Sequence, residues 1–342
     1  MKETPIISVN DLNKWNQLGG DIDGKASGDL SGYSVSLSSD GTIVAIGAPN
    51  NDGNGTDSGS VRVYKYNGTT WTQLGGDIDG KAAGDLSGRH IALSSDGTIV
   101  AIGAINNDGN NTSVSDNRGH VRVYKYDNSL NKWNQLGGDI NGEAAGDNSG
   151  YSVSLSSDGT IVAIGATNND GNTTNVNDNR GHVRVYKYNG TAWNKLGDDI
   201  DGEAASDFSG FKVSLSSDGT IVAIGAPNND NLSGGDSGHV RVYKYDNSLN
   251  KWNQLGGDID GKASGDLSGY SVSLSSDGTI VAIGAPNNDG NTTIVSDNRG
   301  HVRVYKYDNN NWTARESVRN WQSIASSSDG TKLAAVVYGG LI

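Results

Sequence analysis

The carboxylates that could do chemistry come in threes. Asp21, Asp23 and Asp29 surround a Gly, and the set recurs as Asp77, Asp79 and Asp85, and as Asp258, Asp260 and Asp266. Two further copies read Asp139, Asn141, Asp147 and Asp199, Asp201, Asp207. A hard cation needs several oxygens converging at about 2.3–2.6 Å, and closely spaced carboxylates beside a Gly turn are one way a loop supplies them. Calcium is the ion such a loop would suit, and no other cofactor is implied. The competing reading is plain turn chemistry, because Asp and Asn side chains bond their own backbone. The Ile inside each Asp-Ile-Asp reads as a strand end and favours the turn.

A second group of candidates follows each Gly-Ala-x element. Asn51 and Asp52 begin a polar loop that recurs with Asn107 and Asp108, Asn169 and Asp170, and Asn288 and Asp289. The loops differ in length between units, and variable loops on a rigid scaffold are where recognition is usually carried. These Asn, Asp and Ser groups suit sugar hydroxyls, although the loops offer no aromatic for a sugar face; neutral drift of solvated loops is the alternative. Arg89 and His90 stand where other units have Tyr-Ser or Phe-Lys. They mark either a ligand position at a channel mouth or a substitution tolerated during repeat divergence. His120, His182, His239 and His301 share one repeated position where the first unit has Ser60, which reads as structural. Arg62, Arg122, Arg184, Arg241 and Arg303 are expected to pair with acidic neighbours in the next unit. A catalytic centre needs different groups converging on one point, whereas repeats distribute the same groups around a ring. The chain therefore reads as non-enzymatic.

The elements that position these groups recur about every sixty residues, and a period of that size signals a solenoidal or radial array. Trp15, Trp71, Trp133, Trp193 and Trp252 open five units spanning about 15–70, 71–132, 133–192, 193–251 and 252–311; Trp312 opens a degenerate sixth. Within the first, Tyr33, Val35 and Leu37 alternate with serines as a strand does. Ser38-Ser39-Asp40-Gly41 supplies a hairpin, and Ile43 to Ala48 is apolar on both faces, as in a strand between two sheets. Val61 to Tyr66 makes a third strand, Asn67-Gly68 turns the chain, and Trp71 starts a fourth. Four antiparallel strands per unit predict an all-β, six-bladed β-propeller forming a single domain over 1–342. Its last blade would combine 312–342 with 1–14, so that Ile6 to Val9 completes a blade begun by the C-terminus and no strand edge stays open. Chain direction puts the Asn/Asp loops and the acidic segments on the same face.

Ser31-Gly32-Tyr33-Ser34-Val35, Ile46-Gly47-Ala48-Pro49 and Gly59 to Tyr64 resemble the FG-GAP repeat of integrin α-subunit propellers and their bacterial relatives. The resemblance runs through five units, over 15–311. Ser31, Ser87, Ser149, Ser209 and Ser268 replace the aromatic of the Phe-Gly pair. In the family, calcium sits in the hairpin between the first two strands, but here that hairpin holds one carboxylate, so that site does not carry over. The resemblance implies an extracellular or cell-surface recognition scaffold.

Composition narrows the partners. Net charge is −13 without a basic cluster, which argues against nucleic acid. There is no cysteine, which removes disulfides, thiolate catalysis and Cys-based zinc sites. No run of about eighteen apolar residues is present, so membrane insertion is not expected. The expected function is a monomeric, non-catalytic recognition or adhesion propeller binding a protein or glycan through its variable-loop face, with calcium as a candidate ion. A structural spacer within a larger surface protein is the alternative, and a propeller hydrolase or lyase is a more distant one.

Overall fold

Each unit closes on itself before it meets its neighbour. In the computed structural model, residues 16–109, 116–171, 177–230, 233–289, 298–315, 323–326 and 333–336 are described. Every regular element among them is a β-strand. In the first unit β1 (Ser34–Leu37), β2 (Ile43–Ala48), β3 (Ser60–Tyr66) and β4 (Trp71–Gln73) pair antiparallel in that order. The carboxylate of Asp40 closes the first hairpin, accepting from the Ser38 hydroxyl at 2.7 Å and from the Thr42 amide at 2.9 Å. Those donors, Ser38 first, hold its pKa down to about 2. Gly41 supplies the left-handed residue at φ +70°. The same carboxylate–serine bond recurs at Asp96, Asp158, Asp218 and Asp277.

The outer strand is broken in two. Beyond β4 the Leu74 amide still donates to Val63, then Gly75 turns at φ +66°. The chain rejoins β3 as β5 (Ile78–Asp79), with Val61 opposite Ile78 and Ser60 opposite Asp79. The break has a purpose. Trp133 of the next unit lies on Gly75, where a Cβ would come within 3.0 Å of its ring, and its Nε1–H donates to the Leu74 carbonyl at 2.8 Å. Trp71, Trp193, Trp252 and Trp312 clasp Leu18, Leu136, Leu196 and Leu255 in the same way. The Trp opening a unit therefore fastens it to the unit before.

Five such sheets stand face to face. Ile43, Val61 and Val63 of the first pack against Ile91, Val100 and Ile102 of the second. Equivalent cores fill the second, third and fourth junctions. Ile102, Ile164, Ile224 and Ile283 are at most 2% exposed, and a fully buried Ile contributes about 1.5–3 kcal/mol. The first strands lie side by side at the inner end of each sheet. There the alternating serines serve the neighbouring strand: Ser36 accepts from the Leu93 amide at 2.9 Å, and Ser154 from Leu215 at 3.0 Å. Successive hairpins are joined by backbone bonds from Ser39 to Ser95, Ser95 to Ser157, Ser157 to Ser217 and Ser217 to Ser276.

After the fifth sheet, Ser323–Ser326 and Leu333–Val336 pair antiparallel, and the first of these lies against the fifth sheet's two innermost strands. They fall where the two inner strands of a degenerate unit were expected. The N-terminal strand expected at Ile6 to Val9 lies outside the described residues.

Register defines a working face. Ser34 opposes Gly47 and Ser60 opposes Asp79, so the start of β1, the loop at 49–59 and β5 share one end of the sheet.

Candidate functional site

The acidic segments do not gather their own carboxylates. Ile78, Ile140, Ile200 and Ile259 are buried strand residues that separate them. The third Asp of each segment turns inward: Asp85 Oδ2 accepts from the Lys81 and Ala82 amides at 3.1 and 3.0 Å and from Asn107 at 2.9 Å. Asp29 and Asp266 are held by the same kinds of donors. A carboxylate ringed by N–H groups is satisfied as an anion. The first Asp meets Gln side chains, Asp21 with Gln17, Asp77 with Gln73 and Asp258 with Gln254. Burial opposes ionisation of Asp77, but the Lys25 ammonium and Gln73 outweigh it and the carboxyl titrates low. Asp79, buried beside Asp77, titrates high. At the middle Asp the backbone is used: the carbonyls of Asp23, Asp79 and Asp260 accept from Arg62, Arg122 and Arg303. Two groups of three metal-competent side chains occur among the described residues, Glu143–His182–Asp199 and Glu203–His239–Asp258, and neither is an Asp trio from one segment.

The loop residues Asn51, Asn107, Asn169 and Asn288, expected to face a ligand, are buried at 8, 4, 5 and 6% exposure. Each donates its side-chain amide to the inward Asp, from Asn51 to Asp29 at 2.9 Å through Asn288 to Asp266 at 2.8 Å. Asp52, Asp108, Asp170 and Asp289 staple the loop base, accepting from the amides of Asp57, Asn117, Asn179 and Asn298 at 2.9 Å. Those donors sit at positive φ, where Asp and Asn are the best tolerated L-residues. The Asn-Asp pair is therefore a clasp that lets loops of different length leave one rigid base.

The arginines cross between sheets as expected, but four of the five use the Asp carbonyl rather than the carboxylate. Arg184 alone engages Asp199 side-on through Nε and Nη2, both at 3.1 Å, and also pairs with Glu143. The repeated histidines are buried at the same junctions. Burial pushes His120 down to about 3 and His239 and His301 down to about 4, so their rings are neutral at pH 7.

The inner strands present a different surface. At the loop-face end, the residue preceding each first strand is Tyr33, Arg89, Tyr151, Phe211 or Tyr270, and together they form a collar. Its rings follow one another: His90 to Tyr151 at 5.7 Å, Tyr151 to Phe211 at 5.1 Å and Phe211 to Tyr270 at 4.8 Å, all tilted. The Arg89 guanidinium lies over Tyr33 at 5.1 Å. Tyr33 and Tyr270 remain 48 and 39% exposed. Burial lowers Lys212, and no carboxylate contributes to that shift. Burial, then Lys212 and Arg89, push His90 down to about 3. The collar thus sets the Arg89 guanidinium over an aromatic face, with the Lys212 amine buried near His90. Sequence reasoning reached Arg89 and His90 but missed the aromatic collar; its signal was the Tyr-Arg-Tyr-Phe-Tyr series at one repeated position.

A family model described as the FG-GAP repeat matches residues 23–64, which run through β1 and β2 to the middle of β3. Solved structures give the architecture. Hydrazine synthase of Kuenenia stuttgartiensis aligns with a TM-score of 0.54 and 14% identity, covering 94% of this chain and 78% of that one. The β-propeller domain of Cps50 (Swd1) from Myceliophteria thermophila gives 0.51 and 10% identity, covering 88% of this chain and 78% of that one. Residues 23–64 match an FG-GAP repeat, and the fold is that of a β-propeller. At these identities the likeness shows the fold alone. A search of curated proteins finds no significant match.

The FG-GAP elements have local roles in this propeller. The Gly of Gly-Ala-x is where two sheets touch backbone to backbone: a Cβ on Gly165 would lie 2.9 Å from the Gly210 carbonyl carbon. The Ser that replaces the motif's aromatic accepts the inter-sheet arginine, Arg62 on Ser31 at 3.1 Å and Arg303 on Ser268 at 3.3 Å. Among the described residues no helix is long and apolar enough to cross a membrane.

Proposed function

We propose that this propeller is a non-catalytic recognition module acting outside the cell or at its surface, and that its ligand is a carboxylate-bearing glycan held in the collar. One observation carries the reading: the Arg89 guanidinium lies over Tyr33 beside the Tyr151–Phe211–Tyr270 series, with the Lys212 amine buried near His90, and among the described residues no ion pair holds either group, in a chain of net charge −13. Aromatic faces stack on the apolar face of a sugar ring, and the Arg89 guanidinium, with the Lys212 amine as a further N–H donor, selects a carboxylate against the surrounding negative field. The clasped loop bases lie on the same face. Arrayed oligosaccharides test this directly. Uronic- or sialic-acid-bearing glycans should be retained and their neutral counterparts should not; absence of any retention would favour a spacer role.

The reading includes a closed ring of six blades, working as a monomer. Support comes from β1, whose Val35 and Leu37 are 63 and 59% exposed, while Val153, Val213, Leu215 and Leu274 at the same positions are buried against the preceding sheet. A sixth blade built from 312–342 and 1–14 would cover β1 and bring the last and first blades together around the collar.

A further inference from the structure

The residue after each acidic-segment Gly changes sign along the chain: Lys25, Lys81, Glu143, Glu203, Lys262. Its side chain reaches the first Asp of the following segment. Where it is Lys, an ion pair forms, Lys25 with Asp77 and Lys81 with Asp139. Where it is Glu, a second acid is brought to a position already acidic. In the Glu143 junction the protein supplies the cations itself, since Arg184 bridges Glu143 and Asp199 and Lys195 adds a second contact to Asp199. In the Glu203 junction one cation is supplied, Arg241, which pairs with Glu203. Gln254 replaces the lysine beside Asp258, and Arg241 turns to the Asp201 carbonyl at 2.7 Å, leaving Glu203 at 3.5 Å.

A second observation points to a ligand at this position. His239 is 1% exposed, its Nε2 has no hydrogen-bond partner among the described residues, and its Nδ1 points at Glu203 Oε2 from 3.8 Å. A buried imidazole nitrogen without a partner is costly to keep. Its equivalent in the Glu143 junction, His182, likewise aims an unpartnered Nδ1 at Glu143 from 3.9 Å.

We propose that Glu203, His239 and Asp258 bind a divalent transition-metal ion of the zinc class, filling the place that Lys81 and Arg184 take in the neighbouring junctions. The three donor atoms lie within 4.8 Å of one another. Metal–oxygen and metal–nitrogen bonds of about 2.0–2.2 Å need donors no more than about 4.4 Å apart. Glu203, whose side chain is 45% exposed, would make the remaining adjustment by loosening its 3.5 Å contact with Arg241. Two carboxylates and one imidazole suit zinc, cobalt or manganese, whereas calcium and magnesium prefer oxygen alone. Three protein ligands leave a fourth position for water. The proposal is independent of the collar.

The test uses the full chain after chelator treatment. Zinc titrated by calorimetry should show one high-affinity site, and Co2+ bound there should give a visible d–d band that zinc abolishes and excess Ca2+ does not. Glu203→Lys installs the residue that three other units carry at this position, so folding is expected to survive. It should weaken zinc binding by more than about a hundred-fold, since losing even an outer-shell partner commonly costs 10–100-fold. Circular dichroism and the unfolding midpoint of the variant check that it is folded. His239→Ser, which installs the residue found at Ser60, should weaken binding comparably. A wild-type chain without a stoichiometric zinc site, or a folded Glu203→Lys variant that binds zinc as tightly as wild type, would overturn the proposal.

Discussion

Replacing Gly165 by Ala should damage this protein more than a methyl group ordinarily does. The new Cβ would stand 2.9 Å from the Gly210 carbonyl carbon and 3.1 Å from its Cα, and nearer still to the carbonyl oxygen. Both parties are backbone, each pinned within its own sheet, since the Gly165 carbonyl accepts from the Gly150 amide at 3.0 Å and the Gly210 amide donates to the Gly225 carbonyl at 3.1 Å, so no side chain can swing aside. Relief means opening the junction between the third and fourth sheets. Overpacking of this kind costs about 1–3 kcal/mol. The expected loss is therefore about 1–3 kcal/mol, at the upper end because neither backbone can yield. Gly138 is the control: no atom lies within 4 Å of its Cβ position and its φ is outside the left-handed region. Gly138→Ala should be neutral, or stabilising by up to about 1 kcal/mol through the unfolded chain. Urea unfolding followed by tryptophan fluorescence separates the two. Equal midpoints for the variants would refute the claim that sheets meet backbone to backbone at the Gly-Ala-x element.

Two further outcomes follow from burial. His120 titrates near 3 in the folded chain against about 6.5 unfolded, so as pH falls below about 6.5 the unfolded state takes up the proton first and stability drops until about pH 3. His120→Ser, copying Ser60, should remove about 2 kcal/mol of the loss between pH 7 and pH 5, measured as unfolding free energies at the two pH values; an unchanged loss would contradict the assignment. Val35→Asp should cost nearly as much as Val153→Asp, several kcal/mol for a charge forced into a sheet junction, if a sixth blade covers β1; a near-neutral Val35→Asp beside a costly Val153→Asp, compared by thermal unfolding, would mean that face stays open.

Much of the fold was legible because it is written in short-range pattern. Period-two serines marked β1, Asp40-Gly41 marked the hairpin, and Ile99–Ala104, apolar on both faces, is wholly buried between sheets. What the chain does with its polar residues was less legible, because it depends on the register between neighbouring sheets. Asn51 and Asp29 are far apart in sequence yet share a hydrogen bond at 2.9 Å, so both read as surface groups when they are a buried clasp. The break after β4 was hidden for the same reason: the Trp that holds it belongs to the next unit. The collar was visible only as variation at one position per repeat. Tyr33, Arg89, Tyr151, Phe211 and Tyr270 become a site once their strands lie side by side, and the Lys-to-Glu exchange at Glu143 and Glu203 gains meaning only beside His182 and His239.

Lys212 offers the most direct measurement of the recognition account. Its position is Ser34, Ser152 and Ser271 in three other units, so Lys212→Ser should leave the scaffold intact. Hydrogen bonds to a charged group contribute about 1.5–3 kcal/mol, which corresponds to roughly ten- to hundred-fold in affinity. Calorimetry with a uronic-acid oligosaccharide and its neutral reduced counterpart should show binding of the acid form only, weakened by that factor in Lys212→Ser. Equal affinity for the two sugars, or an acid-sugar affinity untouched by the substitution, would contradict it.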